Sequence, residues 1–357
     1  MPAFWTEADF DAHEAVEVVH DRASGLTAIF AIHSTHRGPA AGGTRFWHYP
    51  DAGGAMHDAL RLSRGMSYKN AMAGLPVGGG KAVILADPAR TKTPAMIAAF
   101  GDAVQALGGR YITAEDVGMT VADMVAIAER TKYVSGLPVE GRQNEEERAG
   151  GDPGPFTAHG IFLGIKAAVA HKLGRDLKGV DVAVQGTGSV GGTLARLLAA
   201  DGAKLTLADV DAPRAAALAA ELGADAVAAD AVMDVACDVF SPNALGAILD
   251  DAGIARLRAP IVAGGANNQL ARAGHGAALA ARGILYAPDY VINAGGIINV
   301  TLEYLAREQG GSGNRAVVDA AIAEIPGRLS AIWRESEATG ESPDAVADRM
   351  AQTLIGR

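Results

Sequence analysis

Cysteine occurs once in the 357 residues, at Cys237. A single cysteine excludes an intrachain disulfide and suits a reducing compartment. Lying just before an apolar strand, Cys237 reads better as a small buried hydrophobe than as a nucleophile. Basic residues are also scarce: 31 against 41 acidic ones leave a net charge of −10, and no local Lys/Arg cluster offsets it. That balance argues against a nucleic-acid partner. No apolar run approaches the roughly 18–20 residues of a membrane helix, so no membrane association is expected. The opening Met-Pro-Ala-Phe-Trp-Thr-Glu has neither the basic segment nor the apolar core of a signal peptide, and a cytoplasmic location is expected. The nine histidines are scattered without a His-Glu-x-x-His arrangement, so His33 and His36 read as ordinary residues and no metal is expected. A Gly-x-Ser-x-Gly elbow and a fixed internal repeat are absent too. What remains is a chain 49% hydrophobic and 20% charged, long enough for two domains with large cores.

The most informative stretch runs from Asp181 to Asp209. Val182–Val184 read as a buried strand, Gly186, Gly188 and Gly191 form Gly-x-Gly-x-x-Gly, and Thr193–Ala200 read as a helix. A second apolar strand, Leu205–Ala208, ends at Asp209, 23 residues after Gly186. Such an order grips a dinucleotide. Gly186 permits the tight turn, Gly188 lets the backbone approach a pyrophosphate, and Gly191 allows helix and strand to pack closely. The helix start offers unpaired N–H groups to phosphates. An acid at Asp209 accepts from ribose hydroxyls and favours NAD over NADP. The ordinary alternative is a structural glycine turn in an α/β sheet.

Along the rest of the chain, strands are expected at Leu26–Ile32, Val83–Leu85, Tyr111–Ala114, Val239–Phe240, Ile261–Val262 and Ile284–Tyr286. Helices are expected over Gly54–Ala73, from Thr93-Pro94, from Thr120, over Thr157–His171 and from Ser342-Pro343. Pro39–Arg45 reads as a glycine turn entering a strand. The polar Glu140–Pro155 stretch reads as a boundary and hinge, or as a plain surface loop. The expected organisation is α/β with two domains: 1–148 for substrate and catalysis, and a Rossmann-type doubly wound domain at 149–339, with a cleft between them. The last helix, within 340–357, is expected to return to the first domain.

Two further clusters can carry chemistry. Lys69 and Lys81 stand 12 residues apart around the glycine-rich Gly74–Gly80 segment. A lysine in a water-poor pocket shifts its pKa down and can act as a base, or it can hold a carboxylate as a fixed charge; surface lysines beside a flexible loop are the plain alternative. Glu115-Asp116 follows an apolar strand, where one acid could move protons or merely cap a helix.

Taken together, Gly38–Arg45, Asp58–Asn70, Gly78–Lys81, Tyr111–Gly118, Val262–Leu270 and Tyr286–Val300 resemble the glutamate/leucine/phenylalanine/valine family of amino-acid dehydrogenases, and within it the leucine-acting branch. The resemblance implies NAD-dependent, reversible oxidative deamination of an L-amino acid to a 2-oxo acid and ammonia, by a homo-oligomer. It places Lys69 on the α-carboxylate, aided by the backbone of the Gly78–Gly80 loop, with Gly42, Gly43, Gly78 and Gly79 among the substrate-binding residues. Lys81 assists attack of water on the imine, and Asp116 exchanges protons with the nitrogen. Asn267 helps to place substrate and nicotinamide. Gly186, Thr187, Gly188, Ser189, Val190, Gly191, Asp209, Val210, Asn243, Ala244, Ala266, Asn267 and Asn293 are the implied cofactor contacts.

The side-chain pocket matches Ala41, Ala114, Ser135, Ile297 and Val300. Glutamate-specific relatives carry a lysine where Ala41 stands, and a buried glutamate without a cation is costly. Leucine, valine and isoleucine are therefore the expected substrates, phenylalanine or methionine plausible extras, and glutamate excluded. The rival readings are an aromatic amino-acid dehydrogenase and a catalytically silent NAD-binding sensor or scaffold.

Overall fold

The structure, a computed structural model, describes residues 4–7, 9–86, 92–138, 149–244 and 246–357. Most of the Glu140–Pro155 stretch, expected as a boundary, lies outside the described residues. By internal packing the chain forms two units, Met1–Gly151 with Asn299–Ala316 and Ala351–Arg357, and Asp152–Ile298 with Val317–Met350.

The first unit opens with β1 (Ala15–Asp21), β2 (Leu26–Ser34) and β3 (Ala40–Trp47). These are followed by α1 (Ala52–Met72), β4 (Gly78–Leu85), α2 (Pro94–Ala106), β5 (Tyr111–Glu115) and α3 (Val121–Ala128). The sheet order is β1-β2-β4-β3-β5, with β3 parallel to both its neighbours. Strand β2 shows why helices cover both faces. Its side chains alternate, and both sets are apolar. Phe30 and Ile32 pack with Phe100 and Tyr111, while Ile29 and Ala31 pack with Ala55, Ala59 and Leu60 of α1. Helix starts follow their caps. Asp51 accepts from Gly54 N–H, Thr93 precedes Pro94, and Thr120 forms a reciprocal box with Asp123.

Two glycine segments differ from the expected turn and loop: Gly42-Gly43 lie inside β3 and Gly78–Gly80 inside β4. A Cβ on Gly42 would stand 1.8 Å from the Gly80 carbonyl oxygen, and one on Gly79 2.0 Å from the Ser67 nitrogen. Close contact between strands and with α1 requires these glycines. Their conformational freedom is not what is used.

The second unit holds α4 (Gly154–Leu173), β6 (Asp181–Gln185), α5 (Ser189–Ala200), β7 (Lys204–Ala208), α6 (Ala212–Leu222) and β8 (Asp225–Val227). It continues through β9 (Val239–Pro242), α7 (Asp251–Arg256), β10 (Ile261–Val262), α8 (His275–Ala281), β11 (Leu285–Tyr286) and α9 (Asp289–Ile292). Its strands are all parallel, in the order β11-β10-β9-β6-β7-β8. Chain order reverses between β6 and β9, which puts a ligand crevice at their carboxyl ends. This is the doubly wound sheet expected from sequence.

Then come α10 (Gly295–Glu308), α11 (Arg315–Ile322), α12 (Ile325–Thr339) and α13 (Pro343–Leu354). Here packing divides the chain differently from the expected 149–339 block. Residues 299–316 belong to the first unit, because α10 is one continuous helix whose second half packs there. Of residues 340–357, only 351–357 join the first unit, where Gln352 donates to the Tyr68 hydroxyl at 3.0 Å. The start of α13 stays with the second unit, whose Tyr290 hydroxyl donates to Asp348 at 2.8 Å.

Candidate active site

In the first unit, β4 delivers Lys81 and the end of β5 delivers Asp116. Lys81 Nζ donates to Asp116 Oδ2 at 2.7 Å, and Arg45 Nε, from β3, donates to the same oxygen at 3.2 Å. Gly43 makes this approach possible, since a Cβ there would stand 2.8 Å from Asp116 Cβ. The lysine side chain is only 7% exposed and the aspartate 25%. Burial lowers the Lys81 ammonium below the ordinary lysine value; Asp116 opposes that shift and Arg45 adds to it. Burial acts to raise the Asp116 carboxyl, yet Lys81 and Arg45 outweigh it and hold it below the usual carboxylate range. The result is a loosened ammonium proton beside an ionised, partly accessible acid, an arrangement able to pass protons.

Sequence reasoning did not single out Arg45. Its other end is fixed by Asp58, which accepts from Arg45 Nη1 at 2.8 Å, from the Tyr49 hydroxyl at 2.9 Å and from Arg61 at 3.1 Å. A lone arginine after a glycine pair carries no local signal of this role; only strand pairing aligns it with Asp116. Lys69 lies in the last turn of α1, half-buried. Next to it, Asn70 Nδ2 donates to the carbonyls of Gly78 at 2.6 Å and Ala41 at 3.3 Å, tying β3 to β4.

Four of the expected pocket residues, Ala41, Ala114, Ser135 and Val300, are buried in the first unit. Gly43 pairs with Ala114, Ser135 N–H donates to the Thr113 carbonyl at 2.8 Å, and a Cβ on Gly136 would meet Val300 at 3.7 Å. Ile297 belongs to the second unit, one turn before Val300 on α10. The structure adds Glu303, one turn further on, whose carboxylate accepts from Gly136 N–H at 3.4 Å. Burial raises its pKa. In sequence it is one of two acids on an amphipathic helix.

The second unit fits a dinucleotide. Gly186 has φ +87°, and a Cβ on Gly191 would stand 1.9 Å from the Gly186 carbonyl oxygen. These two glycines are required by the protein's own packing. A Cβ on Gly188, at the start of α5, would meet nothing within 4 Å, so that position is open toward a ligand. A cavity of about 430 Å³ lies there, lined by Thr187, Gly188, Ser189, Arg196 and Arg214 among others. Val190 follows on α5. At the end of β7, Asp209 is buried, and its carboxylate is lowered to about 2: burial opposes this, while the Thr187 and Asp211 N–H groups outweigh it. Its neighbour Val210 is 93% exposed.

At the end of β9, Asn243 uses both ends of its amide internally. It accepts from Gly265 N–H at 2.8 Å and donates to Ser241 at 2.9 Å, with Ala244 exposed beside it. Buried Ala266 precedes Asn267, whose Oδ1 accepts from Asn293 Nδ2 at 2.8 Å. Asn293 Oδ1 is buried without a partner, a free acceptor for an amide donor.

The remaining sequence candidates have ordinary places. His33 is buried, hydrogen-bonded to the Ser67 hydroxyl at 2.8 Å, and pushed down to about 4 chiefly by burial. Burial raises the Cys237 thiol to about 11, which is unlike a nucleophile. Among the described residues no group of three His, Cys, Asp or Glu side chains could hold a metal ion, and no helix is long and apolar enough to cross a membrane.

A glycine-lined doubly wound sheet on one unit and a buried lysine paired with an aspartate on the other define a dehydrogenase of the nicotinamide-dependent class. More narrowly, the chain belongs to the Glu/Leu/Phe/Val dehydrogenase family. The model of that family's dimerisation domain matches residues 11–133, and the glutamate/leucine/phenylalanine/valine dehydrogenase model matches 208–353. The protein is thus an amino-acid dehydrogenase. Leucine dehydrogenase of Thermoactinomyces intermedius is 46% identical over 345 residues, 96% of this chain and 91% of that protein. Valine dehydrogenase of Streptomyces virginiae is 43% identical over 349 residues, 97% of this chain and 94% of that one. Among solved structures, L-tryptophan dehydrogenase from Nostoc punctiforme superposes with a TM-score of 0.83 at 40% identity, covering 96% of each chain.

Proposed function

We propose that this protein is a cytoplasmic, homo-oligomeric, NAD-dependent dehydrogenase of branched-chain L-amino acids. The observation that carries the reading is the Lys81–Asp116 contact at 2.7 Å, with the lysine buried. Lys69 holds the α-carboxylate above the backbone of Gly42, Gly43, Gly78 and Gly79. NAD, when bound, would supply the acceptor for the hydride that leaves Cα, and Asn267 and Asn293 would help to hold its nicotinamide end. Asp116 takes a proton from the substrate nitrogen, so that loss of hydride leaves an imine. Lys81, as the free amine, removes a proton from water as its oxygen adds to the imine carbon. Asp116 then returns a proton to the nitrogen, Lys81 gives the proton from water to solvent, and the free amine takes the carbinol proton as ammonia departs and leaves the 2-oxo group. The balance is amino acid, water and NAD in; oxo acid, ammonium, NADH and one proton out.

The walls at Ala41, Ala114 and Val300 are apolar, and Glu303 adds an acidic group one turn from Val300. Both oppose a substrate carboxylate, and leucine, valine and isoleucine suit them. An apolar wall discriminates by only about 1–3 kcal/mol per methylene, so several substrates should turn over. A spectrophotometric NADH assay across a panel of L-amino acids tests the reading. Leucine, valine and isoleucine should lead, and glutamate as best substrate would sink it. The small Ala41 and the likeness to a tryptophan dehydrogenase support a second reading, an aromatic substrate. Phenylalanine or tryptophan far exceeding leucine in the same panel would establish that one instead.

A further inference from the structure

A carboxylate offers about four lone-pair sites, and those of Asp209 are all in use. Oδ2 accepts from Thr187 N–H at 2.6 Å and from the Thr187 hydroxyl at 2.9 Å. Oδ1 accepts from Asp211 N–H at 2.9 Å and from Arg214 Nη2 at 2.7 Å. With the Asp209 side chain only 4% exposed, there is no spare face to which a ribose could donate. One donor must leave if this acid is to bind a ribose hydroxyl.

The four are not equally able to leave. Two are backbone groups fixed by the turns after β6 and β7, and the third is a hydroxyl on buried Thr187. Arg214 is different: its side chain is 47% exposed, long, and borders the cavity beside Gly188. It projects from the first turn of α6, where Asp211 caps its N–H and lies 3.5 Å from its Nη1. The other arginine lining that cavity, Arg196, is occupied by a two-bond pair with Glu221 at 2.7 and 2.8 Å. Val210, exposed between the two acids, offers an apolar surface that a flat base could cover.

We infer that Arg214 occupies the ribose seat of Asp209, so that NAD must displace it, and that the displaced guanidinium then favours a 2′-phosphate. Arg214 is therefore a cofactor-selectivity residue that works against the NAD preference set by Asp209. A dinucleotide with a free 2′-hydroxyl loses affinity to the competing ion pair. One with a 2′-phosphate gains a guanidinium partner that is released where it is needed. The inference rests on reading the second unit as the NAD site.

Direct binding of NADH and NADPH to the full chain, followed by nicotinamide fluorescence and by calorimetry with ADP-ribose and its 2′-phosphate, tests it without turnover. Arg214→Ala and Arg214→Gln should tighten NADH and ADP-ribose several-fold, weaken both 2′-phosphorylated ligands about tenfold or more, and leave Arg214→Lys between. Changes of opposite sign are the signature, because a structural defect would weaken all four ligands together. Equal weakening of all four, or no change in any, would overturn the role of Arg214 while leaving the NAD reading intact. Failure of the unmodified protein to bind either dinucleotide would remove the NAD reading and this inference with it.

Discussion

Two aspartates, each paired with a cation, are built in opposite ways. At Asp116 the cation is buried, Lys81 being 7% exposed, while the acid is 25% exposed. At Asp209 the acid is buried and the cation, Arg214, is nearly half exposed. Burying the lysine lowers its pKa and loosens its proton, whereas an arginine stays charged wherever it lies. The first pair is thus suited to moving a proton and the second to exchanging a partner. An Asp–cation contact seen alone would not separate these roles. Which member is dry does.

Lys81→Ala should lower turnover about 10²–10⁴-fold, the range for loss of an acid–base group, while the dissociation constant for NADH stays the same. A matching loss of NADH binding would show that the two sites do not divide the labour as described. Lys69→Ala should mainly raise the substrate KM, by roughly 10–100-fold for about 1.5–3 kcal/mol of lost charged hydrogen bonding. Isothermal binding of a 2-oxo acid analogue would check that the change lies in substrate affinity.

Because burial lowers Lys81, kcat/KM for deamination should rise with pH along a limb centred below the ordinary lysine value of about 10.4. Asp116→Asn removes the anion that supports the ammonium form, so whatever limb remains should move to lower pH. A limb that does not move would remove Asp116 from contact with the titrating group.

At Asp209 the expected effect is smaller and is read in stability. Its pKa of about 2 lies below that of an unfolded carboxylate, so its contribution is present above about pH 4 and is lost as pH falls toward 2. Asp209→Asn should lower Tm by about 1–2 °C at pH 7, for roughly 1 kcal/mol in a chain of this size, and the gap should close in acid. A gap that is constant with pH would mean that the carboxylate charge is not what stabilises the turn.

Much of this was legible in the residues. The helix starts at Thr93 and Thr120 follow from local hydrogen bonding, and local bonds survive whatever packs around them. Gly186, Gly188 and Gly191 announced the turn after β6. Other glycines misled: Gly42-Gly43 and Gly78–Gly80 read as turn and loop, yet they are strand. A glycine needed because another backbone comes too close has the same sequence signature as one needed for a turn. Arg45 and Glu303 were missed because each takes its role from a strand or helix brought up from a distant part of the chain. The unit boundary inside α10 was hidden by a helical pattern that runs on unbroken through Ile298 and Asn299.

By itself, the sequence determined the α/β class of both units, the doubly wound sheet of the second, the glycine cradle, and the residue types at Lys69, Lys81, Asp116 and Asp209. Periodicity, caps and tight turns depend on neighbours a few residues away, and these the chain order states directly. Only the tertiary structure decided which member of each ion pair is buried, that Arg45 shares an oxygen of Asp116 with Lys81, and that Arg214 fills the last acceptor site of Asp209. Dehydration and hydrogen-bond saturation depend on every group that surrounds an atom, and those groups are assembled only when the chain folds.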